Sequence, residues 1–192
     1  MSHTQTYLAE TAAIAGKLDC DQIEALAAHL DILRGKGGRL FIAGLGGSAA
    51  NALHAANDFR KLCGIDAYCL AENIAELTAR ANDEGWKTIF DGALHGSKPT
   101  PQDALLILSV GGGTEQVSFP LVAVMEYANR MGMMIFSIVG RDGGYAKSCS
   151  IVCVLVPTIE ASRVTPHTES FQSVILHCLV SHPKLQISKT KW

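Results

Sequence analysis

Five short, nearly unbroken apolar runs recur along the chain, at 40–43, 67–70, 104–109, 134–139 and 151–156. They lack the strict alternation of a half-exposed strand, which predicts strands buried on both faces of a parallel sheet. Between them, and before the first, the apolar positions fall at helical spacing. Helices are predicted at 4–17, 21–34, 48–62, 74–81, 115–131 and 168–181. Asp21 with Glu24 three residues on reads as a capping box for the second, and Gly35, Gly37 and Gly38 end it. The alternation predicts a single domain over 1–192, a three-layer α/β/α sandwich around a five-stranded parallel sheet. Residues 1–38 read as an N-terminal helical arm, 39–182 as the α/β core and 183–192 as a C-terminal tail.

The most informative junction follows the first strand. The apolar run breaks at Gly44-Leu45-Gly46-Gly47-Ser48, and an alanine-rich helix begins at once. A helix that opens on glycines and a serine aims unpaired N–H groups, a partial positive charge and a hydroxyl at one point, which favours an anion. On the same helix His54 and Asp58 stand four residues apart and share a face. The turn is not a Walker A loop, because no Lys precedes Ser48. A dinucleotide fingerprint is approached by Gly44-x-Gly46 with Ala49 third, but the acid at the expected distance, Asp66, falls at the start of the second strand rather than its end. No nucleotide cofactor is therefore expected. A second glycine turn, Ser109-Val110-Gly111-Gly112-Gly113-Thr114, follows the third strand, and Gly140-Arg141-Asp142-Gly143-Gly144 follows the fourth. Ligands of such sheets bind beyond the carboxyl ends of the strands, so two glycine loops with hydroxyls there predict one phosphate gripped from two sides.

Composition narrows the class. Apolar residues are 48% and charged ones 18%, a sparse charge complement that suggests surface buried in an oligomer. Net charge is −2 with no basic run, so direct nucleic-acid binding is not expected. No stretch has the length and apolarity of a membrane span, and the opening residues lack the basic and apolar regions of a signal peptide. The six cysteines form no CxxC, which predicts buried free thiols in a cytoplasmic protein.

Together Gly44 to Ser48 with the AANALHAAND that follows, Ala81-Asn82-Asp83, the loop at 108–114, the loop at 140–144 and the final helix carrying His177 resemble the sugar isomerase (SIS) domain, most closely the phosphoheptose isomerases. The resemblance extends to about Val180 and implies a flavodoxin-like sandwich assembled as a homotetramer with active sites between subunits. It implies aldose–ketose isomerisation, sedoheptulose 7-phosphate to D-glycero-D-manno-heptose 7-phosphate, in supply of lipopolysaccharide or capsule heptose. Carried over by position, Gly46, Gly47, Ser48, Ser109, Gly111 and Thr114 are phosphate-binding, and Asp83 and Glu169 contact substrate. Asp58 and His177 are the acid/base pair. Some members of the family bind zinc at the positions of His54, Asp58, Glu169 and His177, which makes Zn2+ the expected cofactor if there is one.

The chain departs from that pattern where Asp58 replaces a glutamate, Glu169 a glutamine, Gly111 a serine and Gly113 an asparagine. Loss of a methylene at Asp58 matters, because about 1 Å of misplacement can cost on the order of 100-fold in rate. Glu169 and His177 lie about 12 Å apart along a regular helix, so one ion reaches both only through a frayed end or through different subunits. Each residue also has a plainer reading: His54 or His177 packed in the core, Asp58 solvated, and Arg163, Thr165, His167 and Thr168 a substrate contact or merely a helix cap. The alternative function is a non-catalytic SIS protein that binds a sugar phosphate or a partner protein, as replication-initiator-associating members do.

Overall fold

The structure, a computed structural model, describes residues 1–189; the last three residues of the expected tail lie outside it. Five parallel strands form one sheet in the order β2-β1-β3-β4-β5: β1 (Arg39–Gly44), β2 (Asp66–Cys69), β3 (Ala104–Ser109), β4 (Met134–Val139) and β5 (Val152–Leu155). Two helices precede the sheet, α1 (His3–Ala15) and α2 (Cys20–Gly35). The others are α3 (Gly47–Cys63), α4 (Ile74–Asp83), α5 (Ile89–Gly96), α6 (Phe119–Arg130), α7 (Gly144–Cys149) and α8 (Val164–Val180).

Alternate residues of each strand face opposite layers, and both faces are apolar. Leu40, Ile42, Leu106, Leu108, Phe136 and Ile138 pack with α2, α3 and α8 through Leu30, Phe59, Leu62, Phe171 and Leu179. Their neighbours Phe41, Ala43, Leu105, Ile107 and Ile135 pack with α5 and α6 through Phe90, Leu94, Leu121 and Met125. This explains the unbroken apolar runs: a strand covered on two sides has no solvent face to mark with polar residues. The expected three-layer α/β sandwich is the observed fold.

Local boundaries differ where side-chain chemistry intervenes. Asp19, not Asp21, caps α2: its carboxylate accepts from Gln22 N at 3.2 Å. Glu24 instead approaches His182, with Nε2 to Oε2 3.2 Å. The helix expected from 115 begins at Phe119, because Thr114 Oγ1 accepts from Val117 N and Gln116 N and folds 114–118 into a turn. α8 starts at Val164 rather than 168; Pro166 falls in its first turn, where a missing N–H costs nothing. Short α5 and α7, dominated by a few apolar anchors and glycines, are not evident from periodicity. Among the six cysteines, Cys63 and Cys69 are buried as expected, whereas Cys20 and Cys178 are exposed, and all six are free. Among the described residues no helix is long and apolar enough to cross a membrane.

Candidate functional site

The sheet order places a crevice. β1 and β3 are neighbours, yet the chain leaves β1 toward the α3 layer and β3 toward the α6 layer. Connections that part in opposite directions leave a gap at the carboxyl ends of the two strands, where ligands of open α/β sheets bind. The backbone there demands glycine. A Cβ on Gly44 would stand 2.6 Å from Ser48 O, and Gly46, the residue before α3, has φ 59° and ψ −128°. The resulting tight turn points the N-terminus of α3 into the crevice.

A cavity of about 250 Å3 lies between the two glycine loops and includes Ser48, Ser109, Gly111, Gly113 and Thr114 in its wall. The sequence-based pairing of the loops is therefore what the fold builds. Ser48 and Ser109 are buried side chains of this wall. Ser109 Oγ accepts from Gly112 N at 3.1 Å, which leaves its own O–H free to donate to a ligand. Residues at the starts of α6 and α8, Ser118 and Thr165, also reach the cavity, so three helix N-termini contribute positive potential to it. The second loop is braced from behind by α7: Tyr145 N and Ala146 N donate to Gly113 O and Gly112 O, each at 3.0 Å. A side chain on Gly112 would collide with Gly143 O, so the close approach of the two loops requires glycine.

The second constellation lies further along α3 and α8, which run side by side. Asn51 ties them together: its amide donates to Glu169 O at 2.8 Å and to Gln172 Oε1 at 3.0 Å, and Ser173 Oγ donates to Asn51 Oδ1 at 2.9 Å. Beyond this clasp, Asp58 Oδ2 stands 3.1 Å from His54 Nε2 and 4.0 Å from His177 Nε2, and Asn57 Nδ2 donates to Asp58 Oδ1 at 3.0 Å. The two imidazoles meet edge to face at 5.0 Å. Asp58 is 7% exposed, whereas His54 and His177 are 54% and 52% exposed. The plainer readings therefore fail: the aspartate is not a solvated helix acid, and neither histidine is packed in the core. A pocket of about 10 Å3, room for roughly one water, adjoins the three side chains.

One nitrogen or oxygen from each of His54, Asp58 and His177 falls within 4.8 Å of the others, so this donor set fits a divalent ion with a coordination position left open. Glu169, the fourth expected ligand, is elsewhere. Its carboxylate lies against Gly47, where a Cβ would sit 2.5 Å from Oε2. It belongs to the interior of α8 rather than a frayed end, two turns from His177, so a single chain offers three ligands. Asp83 ends α4, exposed, and accepts from Asn82 Nδ2 at 2.7 Å; it borders neither pocket.

The polar cluster before α8 divides its labour. Thr165 faces the cavity, Thr168 packs on Gly140, and Arg163 and His167 hold α1. Arg163 Nε donates to Glu10 Oε2 at 2.8 Å, and His167 Nε2 stands 3.0 Å from the same carboxylate. These bonds, the one from Arg163 foremost, lower the Glu10 carboxyl from its ordinary value to about 2. Arg141, on the loop after β4, is a wall residue of the cavity that the sequence reading did not select. Its position at the carboxyl end of a strand was the available signal.

No family model matches the chain. The phosphoheptose isomerase of Helicobacter pylori (strain P12) is 32% identical over 154 residues, 76% of this chain and 76% of the relative. That of Akkermansia muciniphila is 34% identical over 158 residues, 80% of this chain and 78% of the relative. The solved phosphoheptose isomerase from Neisseria gonorrhoeae superposes with a TM-score of 0.80 over 92% of this chain and 95% of its own, at 21% identity, which shows a shared fold.

Proposed function

The chain belongs to the phosphoheptose isomerase family, and from that premise we propose how its own residues carry out an aldose–ketose isomerisation of sedoheptulose 7-phosphate. The observation that carries the reading is a buried carboxylate, Asp58, set between two half-exposed imidazoles on the same pair of helices whose first turns face the phosphate cavity. The six residue steps from Ser48 to His54 span roughly 9 Å of helix, so an extended sugar phosphate held at one end brings its carbonyl end to the other.

Isomerisation moves a proton between C1 and C2 while the carbonyl oxygen gains a proton and the neighbouring hydroxyl loses one. In our reading Asp58 carries the carbon-bound proton and His177 serves the oxygens, with Ser48, Ser109, Thr114 and the helix N-termini fixing the phosphate. Asn57 orients the Asp58 carboxylate. General acid–base transfer of this kind contributes about 100- to 10,000-fold. A divalent ion such as zinc would be held by His54, Asp58 and His177; when bound it would polarise the carbonyl oxygen of the sugar in place of the proton that His177 supplies without it. Metal analysis of the purified chain is expected to find about one zinc per chain, lost in His54→Ala; an equal content in wild type and variant would remove this part of the proposal.

Exposed apolar side chains flank the two histidines: Leu53 and Val174 on the same helices are 44% and 52% exposed. A second copy of the chain that covers them would exclude water from the site, in keeping with a homotetramer whose sites lie between subunits in the cytoplasm. Conversion of sedoheptulose 7-phosphate to the aldose, followed by NMR, tests the whole reading. Binding without turnover, with or without added zinc, would favour a non-catalytic sugar-phosphate binder instead.

A further inference from the structure

The cavity between the glycine loops has to hold a doubly charged phosphate, yet its wall is almost neutral. Of the side chains that form it, only Arg141 carries a charge. We infer that Arg141 is the phosphate-recognising cation of this cleft, which sets the preference for a phosphorylated over a neutral sugar; the inference rests on the reading of the cleft given above.

Three independent observations converge. Arg141 has φ 52°, one of only three non-glycine residues with positive φ among the described residues; another of them, Ser118, also borders the cavity. Such backbone costs free energy and concentrates where a ligand is held. Arg141 is also exceptional among the seven arginines. Arg34, Arg39, Arg80 and Arg163 pair with carboxylates, and Arg60 and Arg130 lie over tyrosine rings. Arg141 alone has no ion pair, hydrogen bond or ring contact through its side chain among the described residues. Finally, between Ser109 and Thr114 the loop it overhangs brings no side-chain donor of its own. Gly111 and Gly113 bring no side chains, and Gly112 N is spent on Ser109 Oγ. The Arg141 stem passes over Gly111, where a Cβ would lie 3.8 Å from Arg141 Cδ. A guanidinium fork there offers the paired, charge-assisted bonds that phosphate oxygens accept.

Steady-state kinetics with sedoheptulose 7-phosphate on the full chain test this, in wild type, Arg141→Gln, Arg141→Lys and the double substitution Gly111→Ser with Arg141→Gln. Arg141→Gln is expected to raise KM roughly 10- to 100-fold with kcat little changed, the size of a lost charged hydrogen bond. It is also expected to flatten the dependence of KM on salt. Arg141→Lys should recover part of the loss as a point charge. Gly111→Ser added to Arg141→Gln should recover part as a hydroxyl, since the new Cβ fits at ordinary contact distance. A KM and salt dependence unchanged in Arg141→Gln, with circular dichroism showing the fold intact, would overturn the inference. If wild type itself fails to turn over, the isomerase reading falls, and titration with inorganic phosphate decides the inference alone: weaker binding by Arg141→Gln upholds it, equal binding overturns it.

Discussion

In the proposed mechanism Asp58 concentrates the chemistry of the site in one side chain. A carboxylate 7% exposed, yet 3.1 Å from an imidazole that is half in water, can pass a proton between an enclosed substrate carbon and a solvated base. Asp58→Asn keeps the volume and removes the charge, so it is expected to lower kcat at least 100-fold while leaving KM within a small factor. A parallel loss in phosphate affinity would instead mean that the residue positions the helix. The i,i+4 pair His54 and Asp58 could be found from spacing alone, because helix geometry guarantees a shared face. His177 could not: nothing in its local pattern separates it from a packed core histidine, and only the pairing of α8 with α3 brings it to Asp58. Arg141 was hidden for a different reason. Its left-handed backbone and unpaired guanidinium are properties of the folded loop, and an arginine between two glycine-rich stretches looks like an ordinary solvated turn.

At the scale of elements, α1 is fastened to the start of α8 by Glu10, Arg163 and His167, with Tyr7 stacked on His167 at 4.3 Å. The Glu10 carboxyl is lowered to about 2 from an ordinary 4.5, so the latch contributes fully above about pH 4.5 and is lost as pH falls from there toward 2. The groups that face it are Arg163, His167 and Glu160, the last of these an opposing negative charge. Amide hydrogen exchange, corrected for intrinsic rates, should therefore show residues 3–15 losing protection in that window before the sheet does, and Glu10→Gln should show the loss already at neutral pH. Equal protection in the variant at neutral pH would show that α1 is held by packing, through Ile14. Element identity was readable from the sequence for the strands and long helices, where apolar period and length agree. Boundaries were not, because they turn on single side-chain bonds: Asp19 rather than Asp21 at α2, and the Thr114 turn ahead of α6.

For the whole molecule, strand order does the most work. Alternating strands and helices foretold a parallel sheet, but it is the placement of β1 beside β3, with exits to opposite layers, that turns two distant glycine loops into one cavity. The exposed apolar residues beside the two histidines belong to this scale too. Light scattering is expected to show a homo-oligomer that Leu53→Asp breaks down, with loss of turnover; a fully active monomer would refute a site shared between copies. Glu169 and Asp83 are the positions that a single chain leaves out of the candidate pocket; helix spacing already warned of this for Glu169, whereas nothing local in the sequence did so for Asp83. The central claim, that Asp58 moves the substrate's carbon-bound proton from within a phosphate-anchored complex, is most directly tested by NMR of sedoheptulose 7-phosphate incubated with the chain in deuterium oxide. Wild type should form the aldose with solvent deuterium at C2, and Asp58→Asn should bind the sugar phosphate equally well while both signals fall at least 100-fold. Isomerisation by Asp58→Asn at the wild-type rate would contradict the account.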